Sequence, residues 1–286
     1  MKIACVGEAM IELSIAGSAA SVGVAGDTLN TGVYLKRTAP DLQVDYVTRL
    51  GDCPFSEQIR DFIAEQDLGT DTIEMISGET PGLYAITTSE TGERSFTYWR
   101  GMAAARGLFH GGDFSVLDPF DVVYLSGISL AILPDRVRRG LLDYLKAQKT
   151  AFAFDSNYRP RLWEDPQTAK AMTEAFWRRA DIALPSIDDE MALFAEDEAA
   201  VVERFALYGS RGAMKRGASG PLALGADIAQ DYPEAPKVVD TTAAGDSFNG
   251  GYLGAILQGA SQAEALMAGH NCAAEVVQHR GAITPR

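Results

Sequence analysis

The sequence predicts an α/β fold in which helices cover both faces of a mostly parallel sheet. Short apolar segments of strand length alternate with longer amphipathic segments, and this alternation is typical of strand–helix–strand units. The chain has 286 residues, of which 47% are hydrophobic and 22% charged, so it can bury a substantial core. No linker, internal repeat or low-complexity tract marks a second unit, and a single domain over 1–286 is expected.

The expected elements can be placed in chain order. Buried strands are predicted at 3–6, 46–50, 122–126, 151–155 and 182–184. Helices are predicted to begin near Thr28, Phe55, Asp135, Thr168, Asp189 and Ser247. Two other stretches, about 8–25 and 80–100, alternate apolar with polar residues, which predicts half-exposed antiparallel strands around a turn at Thr91-Gly92. A small β-sheet lid inserted into the α/β domain would explain both stretches.

Composition argues against several classes of protein. The formal net charge of −14 disfavours a nucleic-acid partner, since no basic run supplies phosphate contacts. No stretch approaches the ~18 apolar residues of a membrane span, and acids at Glu8 and Glu12 interrupt any signal-peptide core, so a cytoplasmic protein without membrane contact is expected. Neither Gly-x-Gly nor Gly-Lys occurs, which excludes the dinucleotide fingerprint and the P-loop. The three cysteines and three histidines lack the spacing of a disulfide framework or a zinc site.

The segment 240–254 gives the strongest indication of chemistry. Ala243, Ala244 and Gly245 carry little side chain, so their backbone N–H groups can face a phosphate at a helix N-terminus, where unpaired donors and the dipole favour negative charge. Asp246 would then stand beside the transferred group. Taken alone, Gly-Asp-Ser before an apolar helix is also typical of a simple N-cap.

The chain resembles the ribokinase-like (PfkB) sugar kinases in four motifs that occur in order. They are Gly26-Asp27-Thr28-Leu29-Asn30, Asp155 to Trp163, Lys215-Arg216-Gly217 and Asp240 to Phe248. The resemblance extends over nearly the whole chain, including 82–84, 92–100 and 125–131. It implies a Rossmann-like, three-layer α/β/α ribokinase-like core with a small β-sheet lid, ATP at the carboxyl edge of the sheet and the sugar beneath the lid.

The resemblance also implies a reaction. Asp246 would be the general base toward the acceptor hydroxyl, a role that typically contributes ~10²–10⁴-fold to the rate. The N–H groups of Ala243, Ala244 and Gly245 would stabilise charge on the phosphoryl oxygens as an anion hole. The expected reaction is ATP-dependent phosphorylation of the terminal hydroxyl of a 2-keto-3-deoxy sugar acid.

By the same resemblance, the acceptor site includes Gly26, Asp27 and Asn30, although Asp27 or Thr28 could also serve as a helix N-cap. The remaining substrate contacts are expected from Tyr84, Tyr98 and Arg100 on the lid and from Arg159 on the core. Two arginines favour a sugar acid, because Arg binds a carboxylate with two parallel hydrogen bonds and is costly when buried without a partner. Two alternatives stay open, a kinase for another sugar (the galactonate epimer, fructose or ribose) and a non-catalytic sugar-acid binding protein.

The nucleotide site implied by the resemblance consists of Asn157, Lys215, Gly217, Gly220, Gly245 and Asn271. The family commonly carries Asn-x-x-Glu where this chain reads Ile187-Asp188-Asp189-Glu190, which keeps Glu190 as the metal-site residue but lacks the Asn. Mg²⁺ is expected to be held mainly by phosphate oxygens and water, because it sheds water reluctantly. Unpaired edges of the lid strands predict a homo-oligomer, with a dimer through the lid as one form.

Overall fold

The computed structural model describes residues 1–88 and 94–285. Within these residues the strands are β1 (Lys2–Val6), β2 (Met10–Ala16), β3 (Ala19–Ala25), β4 (Gln43–Val47), β5 (Arg49–Gly51), β6 (Glu74–Ile76), β7 (Gly82–Thr88), β8 (Arg94–Trp99), β9 (Val122–Ser126), β10 (Ala151–Asp155), β11 (Ile182–Ala183), β12 (Gly212–Met214) and β13 (Leu222–Leu224). The helices are α1 (Asp27–Thr38), α2 (Pro54–Glu65), α3 (Gly127–Ile132), α4 (Asp135–Ala147), α5 (Pro166–Trp177), α6 (Ile187–Phe194), α7 (Glu198–Tyr208), α8 (Ala244–Leu257) and α9 (Gln262–Val276). None of these helices is both long and apolar enough to cross a lipid bilayer.

The main sheet has seven strands in the order β13-β12-β11-β10-β9-β1-β4. All neighbours pair in parallel except β12 and β13, which are antiparallel. The strand predicted at 46–50 is divided, because β4 ends at Val47 and the chain then leaves the main sheet to pair with β6. Thr48 marks the break, where its carbonyl accepts a hydrogen bond from the Glu74 N–H at 3.0 Å.

Alternate residues of β1, which lies between β9 and β4, contribute to two separate cores. Ile3 and Cys5 pack into the cluster covered by α1, α2, α8 and α9, whereas Ala4 and Val6 pack into the cluster covered by α3 to α7. Successive side chains of a strand point to opposite faces, so a strand buried on both sides is apolar throughout. The predicted three-layer α/β/α core is therefore confirmed.

A second sheet has four strands in the order β3-β2-β7-β8. Its two hairpins, β2–β3 and β7–β8, are antiparallel as predicted, but they join through a parallel β2–β7 pair. The turn predicted at Thr91-Gly92 falls outside the described residues. This sheet matches the two stretches that the sequence predicts as a lid.

Three glycines let α8 pack closely between α1 and α9. A Cβ at Gly250 would lie 2.5 Å from the Tyr34 Cβ on α1, and one at Gly254 would lie 2.7 Å from the Thr38 Cβ. On the other side, a Cβ at Gly251 would lie 2.7 Å from the Ala268 carbonyl oxygen of α9. Close packing of this kind fixes the N-terminus of α8 against α1, where the candidate site lies.

Candidate active site

An open cavity of about 1590 Å³ lies where the carboxyl ends of β10 to β12 face the second sheet and the N-terminus of α8. Open parallel sheets commonly bind ligands at this edge. The cavity brings together most of the residues expected from the sequence: Gly26, Asp27, Asn30, Tyr84, Tyr98, Arg100, Asn157, Arg159, Lys215, Gly217, Ala243, Ala244, Gly245 and Asp246. Gly220, Asn271 and Glu190 are not on its wall.

Asp246 lies in the first turn of α8, where two residues of α1 form hydrogen bonds with it. The Asn30 amide donates a hydrogen bond of 2.8 Å to Asp246 Oδ2, and the Thr31 hydroxyl donates one of 3.2 Å to the Asp246 carbonyl. Burial, and to a smaller extent repulsion from the nearby Asp27 carboxylate, raise the pKa of the Asp246 carboxyl to about 8. Asn30 is thus a partner of the candidate base.

The turn that leads into α8 explains why the helix begins at Ala244, three residues before the predicted start near Ser247. Ala243 takes a left-handed conformation with φ of 60° and stands at the N-cap without a side-chain cap. The Ala244 N–H donates to the Thr241 carbonyl at 3.2 Å, so this member of the predicted anion hole already has a protein partner. Gly245 lies close to a cation, since a Cβ there would be 3.8 Å from Lys215 Nζ.

A cluster of buried polar groups surrounds Lys215. Lys215 Nζ lies 2.8 Å from Asp155 Oδ2 and donates to Asn249 Oδ1 at 3.1 Å. The Asn249 amide in turn donates to Asp155 Oδ2 at 2.6 Å. The sequence reasoning did not single out Asp155 or Asn249 as site residues, although Asp155 begins one of the four motifs and Asn249 lies three residues after Asp246.

Asp27 is oriented by the core and does not cap α1. The helix begins at Asp27 itself, with Gly26 at the N-cap position. The Asp27 carboxylate accepts hydrogen bonds from the Ser126 hydroxyl and, at 2.8 Å, from the Asn157 amide. Asn157, expected at the nucleotide, therefore contacts the acceptor side of the cavity, and its φ of 28° is unusual for a residue with a side chain.

Aromatic and basic side chains from the second sheet and from the chain after β10 line part of the cavity. The rings of Tyr84 and Tyr98 stack with centroids 5.5 Å apart. Arg100 is buried and forms an ion pair with Glu8, so it is not the unpaired cation that the sequence argument assumed. Arg159 is half exposed and lies 3.4 Å from the Asp189 carboxylate. Arg161, which sequence reasoning did not single out, also lines the cavity.

Another part of the cavity wall is formed by α9 and by the chain that precedes α8. Tyr232, Val238, His270 and Val277 belong to this part, and the Tyr232 and His270 rings have centroids 5.1 Å apart. Asn271 is exposed outside the cavity, because one helical residue turns a side chain by about 100° from its neighbour His270. Gly220 lies behind the wall, where a Cβ would be 2.6 Å from the Tyr232 ring.

Glu190 differs most from its expected role. It is fully buried away from the cavity, where Trp177 Nε1 donates to Oε1 at 3.1 Å and Arg204 donates to Oε2 at 2.9 Å. Burial raises the pKa of Glu190 to about 7. The preceding carboxylates, Asp188 and Asp189, are the ones that line the cavity. Both Glu190 oxygens have protein partners, so this residue does not fit a metal ligand.

Comparison with known proteins identifies the class of this fold and site. The whole chain, residues 1–286, matches the model of the pfkB family of carbohydrate kinases. It is 41% identical to the 2-dehydro-3-deoxygluconokinase of Escherichia coli K12, covering 100% of this chain and 97% of that protein. It is 42% identical to the enzyme of the same name from Dickeya dadantii, covering 99% and 96%.

The fold has a close structural counterpart as well. The aminoimidazole riboside kinase of Salmonella enterica, solved with aminoimidazole riboside and an ATP analogue, superposes with a TM-score of 0.85 at 22% identity, covering 99% of this chain and 96% of that one. The chain belongs to the pfkB family of carbohydrate kinases. It is an ATP-dependent sugar kinase with a ribokinase-like fold.

Proposed function

We propose that this kinase transfers the γ-phosphoryl group of ATP to the 6-hydroxyl of 2-keto-3-deoxygluconate, giving 2-keto-3-deoxy-6-phosphogluconate. One observation carries the proposal of catalysis: the half-buried Asp246 carboxylate lines the cavity in the first turn of α8, on a wall that also includes Arg100 and Arg159. The names of the full-length relatives, which are about 40% identical, support this acceptor over other sugars.

The mechanism assigned to Asp246 is general-base catalysis. Asn30 donates to Oδ2, so we assign Oδ1 to the sugar hydroxyl. As O6 bonds to the γ-phosphorus, the hydroxyl proton passes to Asp246 and the bond from phosphorus to the β–γ bridging oxygen breaks, which leaves ADP. A carboxylate with a raised pKa holds this proton well near neutral pH. The Gly245 N–H and the nearby Lys215 would stabilise charge on the transferred phosphoryl oxygens.

Magnesium fits the oxygen-rich rim of the site. Asp188 and Asp189 line the cavity on the side of Lys215, and burial raises the pKa of Asp189. Within the residues that the structure describes, no group of three metal-ligating side chains is assembled. We assign Asp189, directly or through water, to an ion bound chiefly by ATP, which would supply neutralisation of phosphate charge.

The basic residues of the cavity support an acidic acceptor. Arg100, Arg159 and Arg161 line it, and an Arg can hold a carboxylate bidentately. We assign the substrate carboxylate to Arg100 and Arg159, with Gly26, Asp27, Asn30, Tyr84 and Tyr98 around the sugar chain. The adenosine is assigned to the wall that includes Gly217, Tyr232 and His270.

A second candidate, a kinase for a neutral sugar, has one observation in its favour. Arg100 is already neutralised by Glu8, so a neutral acceptor would not leave an isolated buried charge at this position. Fructose and ribose are the representative acceptors of this class.

The first test is ADP release with Mg-ATP across a panel of 2-keto-3-deoxygluconate, its galactonate epimer, gluconate, fructose, ribose and adenosine. Turnover on the keto-deoxy acids alone is expected. Turnover on a neutral sugar alone would leave Asp246 in place but overturn the assignment of the arginines. An absence of turnover, with ligand-induced thermal stabilisation retained, would indicate a binding protein.

The second sheet supports two further expectations, closure over substrate and association with a second copy. Val22 and Trp99 are among its exposed large apolar residues, which offer an apolar surface for a homodimer of this protein, expected in the cytoplasm. Sedimentation of the wild-type chain against Trp99→Asp tests this. A dimer converted to a monomer would support the assignment, and an unchanged mass would contradict it.

A further inference from the structure

The structure assigns a role to Glu8, a buried acid that the reaction itself does not use. We propose that Glu8 is a positioning residue that fixes the Arg100 guanidinium toward the carboxylate of the substrate. This inference rests on the proposed sugar-acid function. Glu8 does not line the cavity, whereas Arg100 does, so Glu8 can act on the ligand only through Arg100.

The ion pair stands where the chain passes between the two sheets. Glu8 lies between β1 of the main sheet and β2 of the second sheet, and Arg100 directly follows β8 of the second sheet. The Arg100 Nη2 group donates to Glu8 Oε2, and the side chains are 10% and 1% exposed, respectively. A pair buried to this extent is only weakly screened by water and salt.

Gly82 provides the space for this pair. It is the first residue of β7, and a Cβ at this position would lie 2.4 Å from Glu8 Oε1 and 3.2 Å from the Arg100 Cβ. Any side chain at position 82 would therefore displace the carboxylate or the arginine. The fold keeps a compact slot for Glu8 beside the beginning and the end of the second hairpin.

The hydrogen bonds of the pair leave donors for a ligand. Glu8 engages Arg100 through Nη2, and among the described residues the other terminal nitrogen, Nη1, has no hydrogen-bond partner, while Arg100 lines the cavity. The guanidinium also lies over the Tyr98 ring, with its carbon 6.0 Å from the centroid. A free arginine has many rotamers, so a fixed counter-ion on one side orders the group before the substrate binds and lowers the entropic cost of binding.

Glu8 has a second consequence, because it sets the charge that the substrate meets. With Glu8 ionised, the Glu8–Arg100 pair has no net charge. The substrate carboxylate is then bound mainly by the positioned N–H donors of Arg100, and less by the attraction of an isolated positive charge. Removing the carboxylate while keeping the shape therefore separates orientation from charge. Glu8→Gln retains an acceptor for Nη2, whereas Glu8→Ala removes both the acceptor and the charge.

The test is a double-mutant cycle in steady-state kinetics with 2-keto-3-deoxygluconate and Mg-ATP. We expect Glu8→Ala to raise KM for the sugar acid about tenfold, with KM for ATP and kcat changed less than about threefold. Glu8→Gln should give a smaller increase. In an Arg100→Ala background, Glu8→Ala should add no further increase, because its effect passes through Arg100.

The matched control is Glu79→Ala, which removes the acid of another partly buried arginine pair, Arg49–Glu79 at 2.7 Å, away from the cavity. It should leave both KM values unchanged. Additive effects in the cycle, or equal increases in KM for sugar and ATP, would overturn the proposal. If the Glu8→Ala variant does not fold, the isosteric Glu8→Gln variant is measured in its place. A wild-type KM for the sugar acid in Glu8→Gln would also overturn the proposal. A wild type inactive on keto-deoxy acids would instead defeat the proposed function.

Discussion

The two parts of the cavity wall that we assign to the sugar are built differently. Asp246 and Asn30 stand on helices packed together through glycines, and their carboxylate and amide are joined by a 2.8 Å hydrogen bond. Tyr98, in contrast, stands on an outer strand of the second sheet with 51% of its surface exposed. The groups assigned to chemistry are thus held by the core, and those assigned to recognition are held by a sheet with an open face. Accurate positioning needs rigid supports, whereas recognition tolerates movement.

Removing the candidate base should have the largest effect on the reaction, because Asp246 belongs to the part of the wall that we assign to chemistry. Asp246→Asn keeps the size and can still pair with Asn30, but it cannot take a proton. We expect kcat to fall by about 10²-fold or more, with sugar and ATP binding nearly unchanged. Turnover and calorimetric affinities measure the two effects separately.

The matched control is Asp135→Asn, which neutralises another acid in the first turn of a helix, one paired with Arg139 at the surface. It should leave kcat unchanged, since exposed pairs contribute little. A wild-type rate in Asp246→Asn would remove this residue from the mechanism.

The next largest effect is expected at Asp27, which joins the two parts of the wall. Its carboxylate is assigned to the sugar and is also a cause of the raised pKa of Asp246. We expect Asp27→Asn to lower kcat/KM about tenfold through the lost charged hydrogen bond.

The Asp27→Asn variant should also change the pH dependence of kcat/KM in a defined direction. Asp246 acts as a base only when deprotonated, so kcat/KM of the wild type should rise with pH up to its pKa of about 8. Removing the negative charge of Asp27 favours ionisation of Asp246, and the rising limb should move to lower pH. A pH profile of kcat/KM measures this, and a limb that stays in place or moves upward would contradict the electrostatic coupling.

The packing that supports Asp246 can be tested at Gly250. A Cβ there would lie 2.5 Å from the Tyr34 Cβ and 2.7 Å from the Leu35 backbone nitrogen, so α8 must move away from α1. We expect Gly250→Ala to lower the free energy of unfolding by roughly 1–3 kcal/mol and to reduce kcat several-fold.

Gly140→Ala in α4 is the control, because its new Cβ would meet only the edge of the Phe114 ring, at 3.2 Å. Denaturant unfolding of both variants gives the comparison. Equal stability changes would show that the effect at Gly250 is general to helix glycines and does not come from the α1–α8 contact.

Local patterns predicted most strands of the main sheet and the turn before α8, and the family resemblance indicated most residues of the candidate site. Four of the five strands expected from apolar runs are present and the fifth is divided between β4 and β5, while the motifs at 26–30 and 240–248 meet at the cavity through the Asn30–Asp246 bond. These predictions succeeded because strand burial and helix N-termini depend on neighbouring residues. Motif order then placed distant segments at one sheet edge.

The errors concern side-chain direction and pairs that are distant in sequence. The family resemblance suggested Glu190, but the turn of α6 directs Asp188 and Asp189 to the cavity and Glu190 into the core. The Glu8–Arg100 pair joins residues separated by 92 positions, so the sequence offered no signal for it. The argument that Arg100 needs an anionic substrate was incomplete for this reason.

The smallest effect is expected at Tyr98, on the second sheet. Its ring stacks on Tyr84 with centroids 5.5 Å apart, and such a contact is worth about 0.5–1.5 kcal/mol. Tyr98→Ala should therefore raise KM for the sugar about threefold, with little change in kcat. Trp99→Ala is the control, since this neighbour points to the other face of β8 and does not line the cavity. An equal increase in KM for Trp99→Ala would assign the effect to the stability of the second sheet. If Tyr98→Ala instead lost kcat to the same extent as Asp246→Asn, recognition and chemistry would not be divided between the two parts of the wall.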